Sequence, residues 1–278
     1  DASPCVQIPA PSKENRRERN LSEDEIIVFW DKIRDGRMSQ EIRLALKFLL
    51  VTAQRKSEVT DSEWKEFDLE KKWWTIPPER TKNKQSHRVP LTPIAIQILK
   101  ELRQITGKYQ FTFASPVGAT KRNPDRLPGT VPIIASAVDN ALRDNLTDDP
   151  KTKNNNIFNL DHFTPHDLRR TAASMMTRSG IQRLTVKKIL NHSDREITAV
   201  YDRYEYDKEK QTAMLAWDRE LKKIITNQSK AESKQILTKQ KKKTPKKIIT
   251  NQKKEENNEV ITYEQFIKNN KLRDFTKK

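Results

Sequence analysis

Apolar residues along the chain recur mostly at helical spacing. Ser22 and Glu25 form a capping box ahead of Ile26, Phe29, Trp30 and Ile33, and Gly36 closes that first helix. A second helix is expected over Ser39 to Thr52, with Ile42, Leu44, Ala45, Phe48, Leu49 and Val51 turned mostly inward. The period then changes. Trp73 to Ile76 and His87 to Pro90 read as two strands of a hairpin with a polar connection, and adjacent Trp73 and Trp74 face opposite ways, so one of them packs inside. Thr92-Pro93 starts a helix through Ile94, Ile98, Leu102 and Ile105, with proline at the first helical position. Residues 111–129 read as loop, Thr130 and Pro132 open a helix through Ile133, Ile134, Ala137 and Leu142, and residues 151–163 form a polar loop in which His162 is an ordinary loop or hydrogen-bonded histidine.

The most informative stretch runs from Thr164 to Tyr206. Thr164, Pro165 and Asp167 make a capped helix start, Leu168, Ala172 and Met175 carry its apolar face, and Gly180 ends it. His166 and Arg169 stand three apart and share a face. Leu184, Ile189 and Leu190 mark a further helix that ends at Asn191-His192, and Ser193 is placed to cap the next one. Tyr201 follows His192 by nine residues. After Tyr206, Met214, Trp217, Leu221, Ile224 and Ile225 lie on one stripe of a last amphipathic helix.

Composition narrows the class. The chain has 278 residues, 34% hydrophobic and 33% charged, with only 5 Gly, which suits a polar helix-rich protein with a disordered part. No uncharged apolar run reaches membrane-spanning length, since LALKFLLVTA is interrupted by Lys47. The one cysteine, Cys5, excludes a disulfide framework and fits a reducing, cytoplasmic setting. A first residue of Asp1 and the lack of a signal peptide lead to the expectation of a fragment or a processed chain. The net charge of +17 suggests a polyanionic partner, but residues 221–278 hold 17 Lys and Arg against 6 Asp and Glu. That tail carries the repeat KKIITNQ at 222–228 and 246–252, is rich in Lys, Asn, Gln and Thr, and is expected to be disordered, with a weak helical docking pattern at Tyr263, Phe266 and Ile267. Charge alone leaves a nucleic-acid binder and a folded domain with a solvated basic tail equally open. No Gly-rich phosphate loop and no metal-ligand spacing is present, so neither cofactor nor metal is expected.

His166, Arg169, His192 and Tyr201, within the segments HDLRRT, ILNH and VYDRY, resemble the active-site core of the tyrosine recombinases, the phage-integrase family, in the branch found in prophages and genomic islands. The resemblance covers about Leu21 to Trp217. On spacing alone Arg55 is a surface arginine paired with Glu58; the resemblance makes it the first catalytic arginine, with Ala53 where the family usually has Gly and Ser57 where similar members often have Gly. The hairpin connection, otherwise a solvated turn, would carry the catalytic lysine at Lys82, with Lys84 as the fallback. Arg170 is geometrically as eligible as Arg169, and Tyr204 and Tyr206 compete with Tyr201; the family register selects Arg169 and Tyr201.

The chemistry implied is strand cleavage by a tyrosine. Tyr201 attacks phosphorus, Arg55 and Arg169 grip the non-bridging oxygens, His192 donates a further hydrogen bond, His166 takes the tyrosine proton or bonds to it, and Lys82 protonates the leaving 5′-hydroxyl. The fold implied is mainly α with a small β-hairpin or sheet (α+β), followed by the basic tail. Residues 1–20 would be a linker from an N-terminal DNA-binding domain, 21–226 the catalytic domain and 227–278 the tail. The partner implied is double-stranded DNA, bound by a homo-oligomer, a tetramer, with no membrane involved. Integration or excision of a mobile element is the expected function. A type IB topoisomerase, a chromosome-dimer resolvase and an inactive DNA-binding remnant are the alternatives. The last helix either packs on its own domain or, as is common in the family, docks on a neighbouring protomer.

Overall fold

A computed structural model describes residues 19–121, 123–151, 155–192 and 204–242, with side chains up to 226. The chain divides into residues 1–233 and 234–278, and the packing below lies within the first. Eight α-helices and a three-stranded antiparallel sheet are found among the described residues.

Helix α1, Glu23–Lys32, starts with the expected capping box between Ser22 and Glu25 and continues into a 3₁₀ turn, Ile33–Asp35, before Gly36. Helix α2, Gln40–Thr52, is apolar nearly all round, and Leu46, Phe48, Leu50 and Val51 are wholly buried. A helix of that kind belongs at the centre of a domain, and α2 packs against α4 (Pro93–Thr106), α5 (Ala135–Asp144) and α6 (Pro165–Arg178). Its last residue is followed by Ala53 in the left-handed region (φ 56°) and by a five-residue helix α3, Lys56–Thr60, that the apolar spacing does not announce.

The sheet runs β1-β2-β3: β1 Phe67–Asp68, β2 Trp73–Ile76 and β3 His87–Pro90. Trp74 pairs with Phe67 on one side and Val89 on the other. Its ring stacks on Phe67 at 5.2 Å and meets Phe48 at 5.7 Å, which fastens the sheet to α2. Trp73 points outward under the Arg88 guanidinium at 4.2 Å. The alternation therefore sends one tryptophan inside, as expected. Strand β1, only two residues long, has too little sequence for a period.

Two expectations need correction. The helix predicted from Thr130–Pro132 begins at Ala135 instead, because Val131 to Ile133 bond in extended form to the preceding loop: Ser115 N–H donates to Val131 C=O at 2.8 Å and Ile133 N–H to Phe113 C=O at 2.8 Å. In α7, Arg183–Ile189, Leu184 is 40% exposed, and Val186 takes the inward position together with Ile189 and Leu190. Ser193, expected to cap the next helix, lies outside the described residues.

Helix α8, Asp207–Lys242, settles the choice left open for the last apolar stripe. Met214, Trp217, Leu221 and Ile224 are buried against the chain's own domain. Trp217 Nε1 donates to the α2 carbonyl of Leu50 at 3.3 Å, and Asp218 accepts from Ile94 N–H at 3.0 Å in the first turn of α4. Trp217→Ala is expected to cost about 3–5 kcal/mol in equilibrium urea unfolding. The loss should be independent of protein concentration; a loss that grows on dilution would mean that the helix is held by another protomer.

Candidate active site

The site is built where the C-terminal ends of α2 and α7 face each other. Helix α7 stops in a Schellman turn: His192 N–H donates to Lys187 C=O at 3.1 Å and Asn191 N–H to Lys188 C=O at 3.2 Å, with Asn191 left-handed at φ 48°. Asparagine tolerates that conformation better than most residues, so Leu190-Asn191-His192 is a helix stop with a histidine fixed just beyond it. The turn leaves three successive carbonyls without helical partners, and side chains supply them.

Ile189 C=O accepts from Gln54 Nε2 at 3.0 Å and from His87 Nε2 at 3.1 Å. Leu190 C=O accepts from Arg169 Nη2. Asn191 C=O accepts from Arg55 Nη2 at 3.1 Å. Two of these side chains also hold the end of α2: Gln54 Nε2 donates to Thr52 C=O at 2.9 Å and Arg169 Nη1 to Ala53 C=O at 2.7 Å. Cationic donors suit the negative ends of two helices. Ala53 takes the left-handed backbone that explains a glycine at this place, at a cost of about 1 kcal/mol for a residue with a Cβ.

Arg55 pairs with Glu58, as its spacing alone suggests, and also reaches the end of α7. Nη1 pairs with the buried Glu58 carboxylate at 2.8 Å, while Nη2 reaches Asn191. Glu58 also accepts from Arg55 N–H at 2.9 Å, which fixes the start of α3. Arg169 is 3% exposed, and burial, reinforced by the nearby Arg55, lowers its pKa to about 10. Its remaining contact is with His192 Nε2 at 3.2 Å. A guanidinium can only donate, so that nitrogen is an acceptor and the ring carries its proton on Nδ1. Each guanidinium has five N–H groups, and these contacts leave some of them free for a ligand.

His166, Arg169, Arg170, Leu190 and His192 line one open pocket of about 310 Å³ together with Asn20, Ala173 and Ser174. Among the described residues no carboxylate lines it. Asp167, beside His166 in the chain, is not part of the lining and accepts from Thr164 and from Arg170 Nη1 at 2.9 Å. This is the difference between the adjacent arginines: Arg169 turns into the cluster, whereas Arg170 reaches the rim and pairs with Asp167. Partial burial and then the charges of Arg170 and Arg169 lower the His166 pKa; partial burial, Arg169 and Arg55 lower that of His192. Both rings are therefore neutral near pH 7.

Lys82 does not line this pocket. It is exposed on the hairpin tip and makes no hydrogen bond or ion pair among the described residues. The tip is joined to the cluster through its neighbour, since Asn83 Nδ2 donates to Asn191 Oδ1 at 2.8 Å. Lys84, the fallback, is also exposed and sits in the left-handed region. Tyr201 lies outside the described residues. Of its competitors, Tyr204 donates to Glu209 at 3.3 Å, and the Tyr206 ring packs on Tyr204 at 4.8 Å with Lys188 over it at 4.6 Å.

Sequence reasoning passed over Gln54, Asn83, His87 and Asn191 as parts of the site. Asn191 carried a usable signal, an asparagine directly after a helix pattern. The other three act through main-chain carbonyls or amides more than 100 residues away in the chain, and no local pattern marks that.

The family model of phage integrases matches residues 19–208, and the chain belongs to that family of tyrosine recombinases. It is 25% identical to the prophage integrase IntA of Escherichia coli K12 over 222 residues, 78% of this chain and 48% of that protein. It is 28% identical to the integrase of Enterobacteria phage P4 over 189 residues, 63% of this chain and 38% of that protein. The chain thus spans less than half the length of each. Among solved structures, it is similar to the integrase of mycobacterium phage Brujita at a TM-score of 0.49 and 16% identity, covering 80% of this chain and 68% of that one. No helix among the described residues is long and apolar enough to cross a membrane.

His87 gives the site a pH signature. Burial, with Lys210 adding to it, lowers its pKa to about 3. In the unfolded chain it returns to about 6.5. Between those values the unfolded chain takes up a proton that the folded one does not, so stability is present above pH 6.5 and is lost as pH falls towards 3. His87→Gln lacks this loss. The stabilities of the two proteins in urea should converge by about 2 kcal/mol between pH 7.5 and pH 5; a pH-independent difference would show that His87 is not held neutral inside.

Proposed function

We propose that the protein cleaves and rejoins double-stranded DNA through a 3′-phosphotyrosyl intermediate, as a site-specific recombinase that integrates or excises a mobile element. The observation that carries this reading is the convergence of Arg169, His166 and His192 on one open pocket, with Arg55 joined to the same helix end. Such a place suits a phosphodiester: the arginines are permanently charged, matched to phosphate geometry, and held from behind by carbonyls.

In this mechanism Tyr201 is the nucleophile. Its oxygen forms the bond to phosphorus as the bond from phosphorus to the 5′-oxygen breaks. Arg55 and Arg169 hold the non-bridging oxygens, on which negative charge gathers in the transition state. His192 contributes a further donor through Nδ1–H. His166, neutral at pH 7, takes the phenolic proton, and Lys82 gives a proton to the departing 5′-oxygen. The 5′-hydroxyl of another strand later reverses the step. Exchange between two duplexes requires four cleavages, so the working form is a tetramer on DNA. Counterion release by the basic tail adds affinity without selecting sequence.

Covalent capture tests this. Nicked duplexes carrying candidate element-end sequences, incubated with the protein and then denatured, should leave DNA linked to the Tyr201 peptide. Tyr201→Phe should abolish the adduct; an adduct that survives assigns the nucleophile to Tyr204 or Tyr206. Arg55→Ala and Arg169→Ala should each slow its formation by about 10²–10³-fold. Relaxation of supercoiled DNA without site preference would instead favour a topoisomerase.

A further inference from the structure

The hairpin tip poses a positioning problem. A general acid must have its nitrogen within about 3 Å of the leaving oxygen. Lys82, which holds that role under the reading above, sits on an exposed loop outside the pocket. The loop is organised internally: Thr81 Oγ1 donates to Gln85 C=O at 2.8 Å and accepts from Gln85 N–H at 3.1 Å, and Asn83 Oδ1 accepts from Gln85 N–H at 3.3 Å. Its base is fixed where His87 meets Ile189. Between base and apex, one further link joins the tip to the site among the described residues. The amides of Asn83 and Asn191 bond mutually, Nδ2 of Asn83 to Oδ1 of Asn191 at 2.8 Å and Nδ2 of Asn191 to Oδ1 of Asn83 at 3.4 Å.

Asn191 is the residue whose main-chain carbonyl holds Arg55 and whose left-handed backbone places His192. We propose that Asn83 is a positioning residue: its amide pair with Asn191 is a latch that registers Lys82 against the arginine and histidine set. The general acid and the phosphate grip then share one reference point, and Lys82 keeps its place without being packed into the pocket. Both asparagines are half-buried, so the pair contributes little to global stability and its loss is felt mainly at the tip.

The test uses two substrates, both nicked duplexes of a sequence selected from a random pool by covalent capture on the protein. One carries an ordinary phosphodiester and the other sulfur in place of the bridging 5′-oxygen. Cleavage of the second expels a thiolate, which leaves without a proton and needs no general acid. Asn83→Ala should slow cleavage of the oxygen substrate by about 10- to 100-fold and leave the sulfur substrate within about threefold of the parent protein. Asn191→Gly keeps the left-handed backbone and the carbonyl but removes the amide, so it should reproduce the defect and add nothing to Asn83→Ala. Equal slowing on both substrates, or no slowing on either, overturns the latch.

Lys82→Ala separates this from the function it rests on. If the sulfur substrate fails to rescue Lys82→Ala, the general-acid assignment is wrong. The latch is then judged by amide hydrogen exchange alone. Asn83→Ala should speed exchange at residues 81–86 several-fold and leave residues 87–90 unchanged; unchanged exchange at the tip overturns it.

Discussion

Two helix ends that face each other set the terms for the rest of the structure. The final carbonyls of α2 and α7 have no partners within their helices, and they lie where water is largely excluded. Gln54, Arg55, Arg169 and His87 fill the gap, each with a hydrogen bond to at least one of those carbonyls. An unpaired carbonyl here would cost as much as a lost hydrogen bond, so the folding requirement and the placement of the arginines are one requirement. The guanidiniums are held from behind by main-chain oxygen, and their other edges are left for a ligand.

The charge balance follows from the same arrangement. Three acidic groups among the described residues near the site are paired: Glu58 with Arg55, Glu66 with Arg80, and Asp167 with Arg170 and Thr164. Glu66 also accepts from Trp74 Nε1 at 2.9 Å, which ties the sheet to the base of the site. Among the described residues the pocket lining therefore carries no carboxylate. Partial burial, reinforced by the positive charge gathered there, lowers the pKa of both His166 and His192, so the rings enter any reaction neutral, one able to accept a proton and the other with Nδ1–H available to donate.

Much of this frame was legible in the sequence, for identifiable reasons. Ser22 with Glu25, and Thr164-Pro165 with Asp167, are short-range signals whose partners lie within four residues, and they begin α1 and α6 as read. The alternation at Trp73 and Trp74 was equally local. What could not be read depends on distant partners. Ile133 carries helical apolar spacing but bonds in extended form to Phe113, and Arg169 differs from Arg170 only through what each meets after folding. Gln54 and His87 look like ordinary polar residues at a helix end and in a strand. Their meaning lies in Ile189, over 100 residues further on.

Arginine side-chain NMR on protein labelled with ¹⁵N and ¹³C at arginine tests the central claim most directly. If Arg169 is held by the carbonyls of Ala53 and Leu190, its Nη protons give separate signals, with slow rotation about the Nε–Cζ bond and slow exchange with water. Arg169 signals averaged like those of the exposed Arg34 and Arg143 would contradict the account, because the site would then have no fixed guanidinium to offer a phosphate.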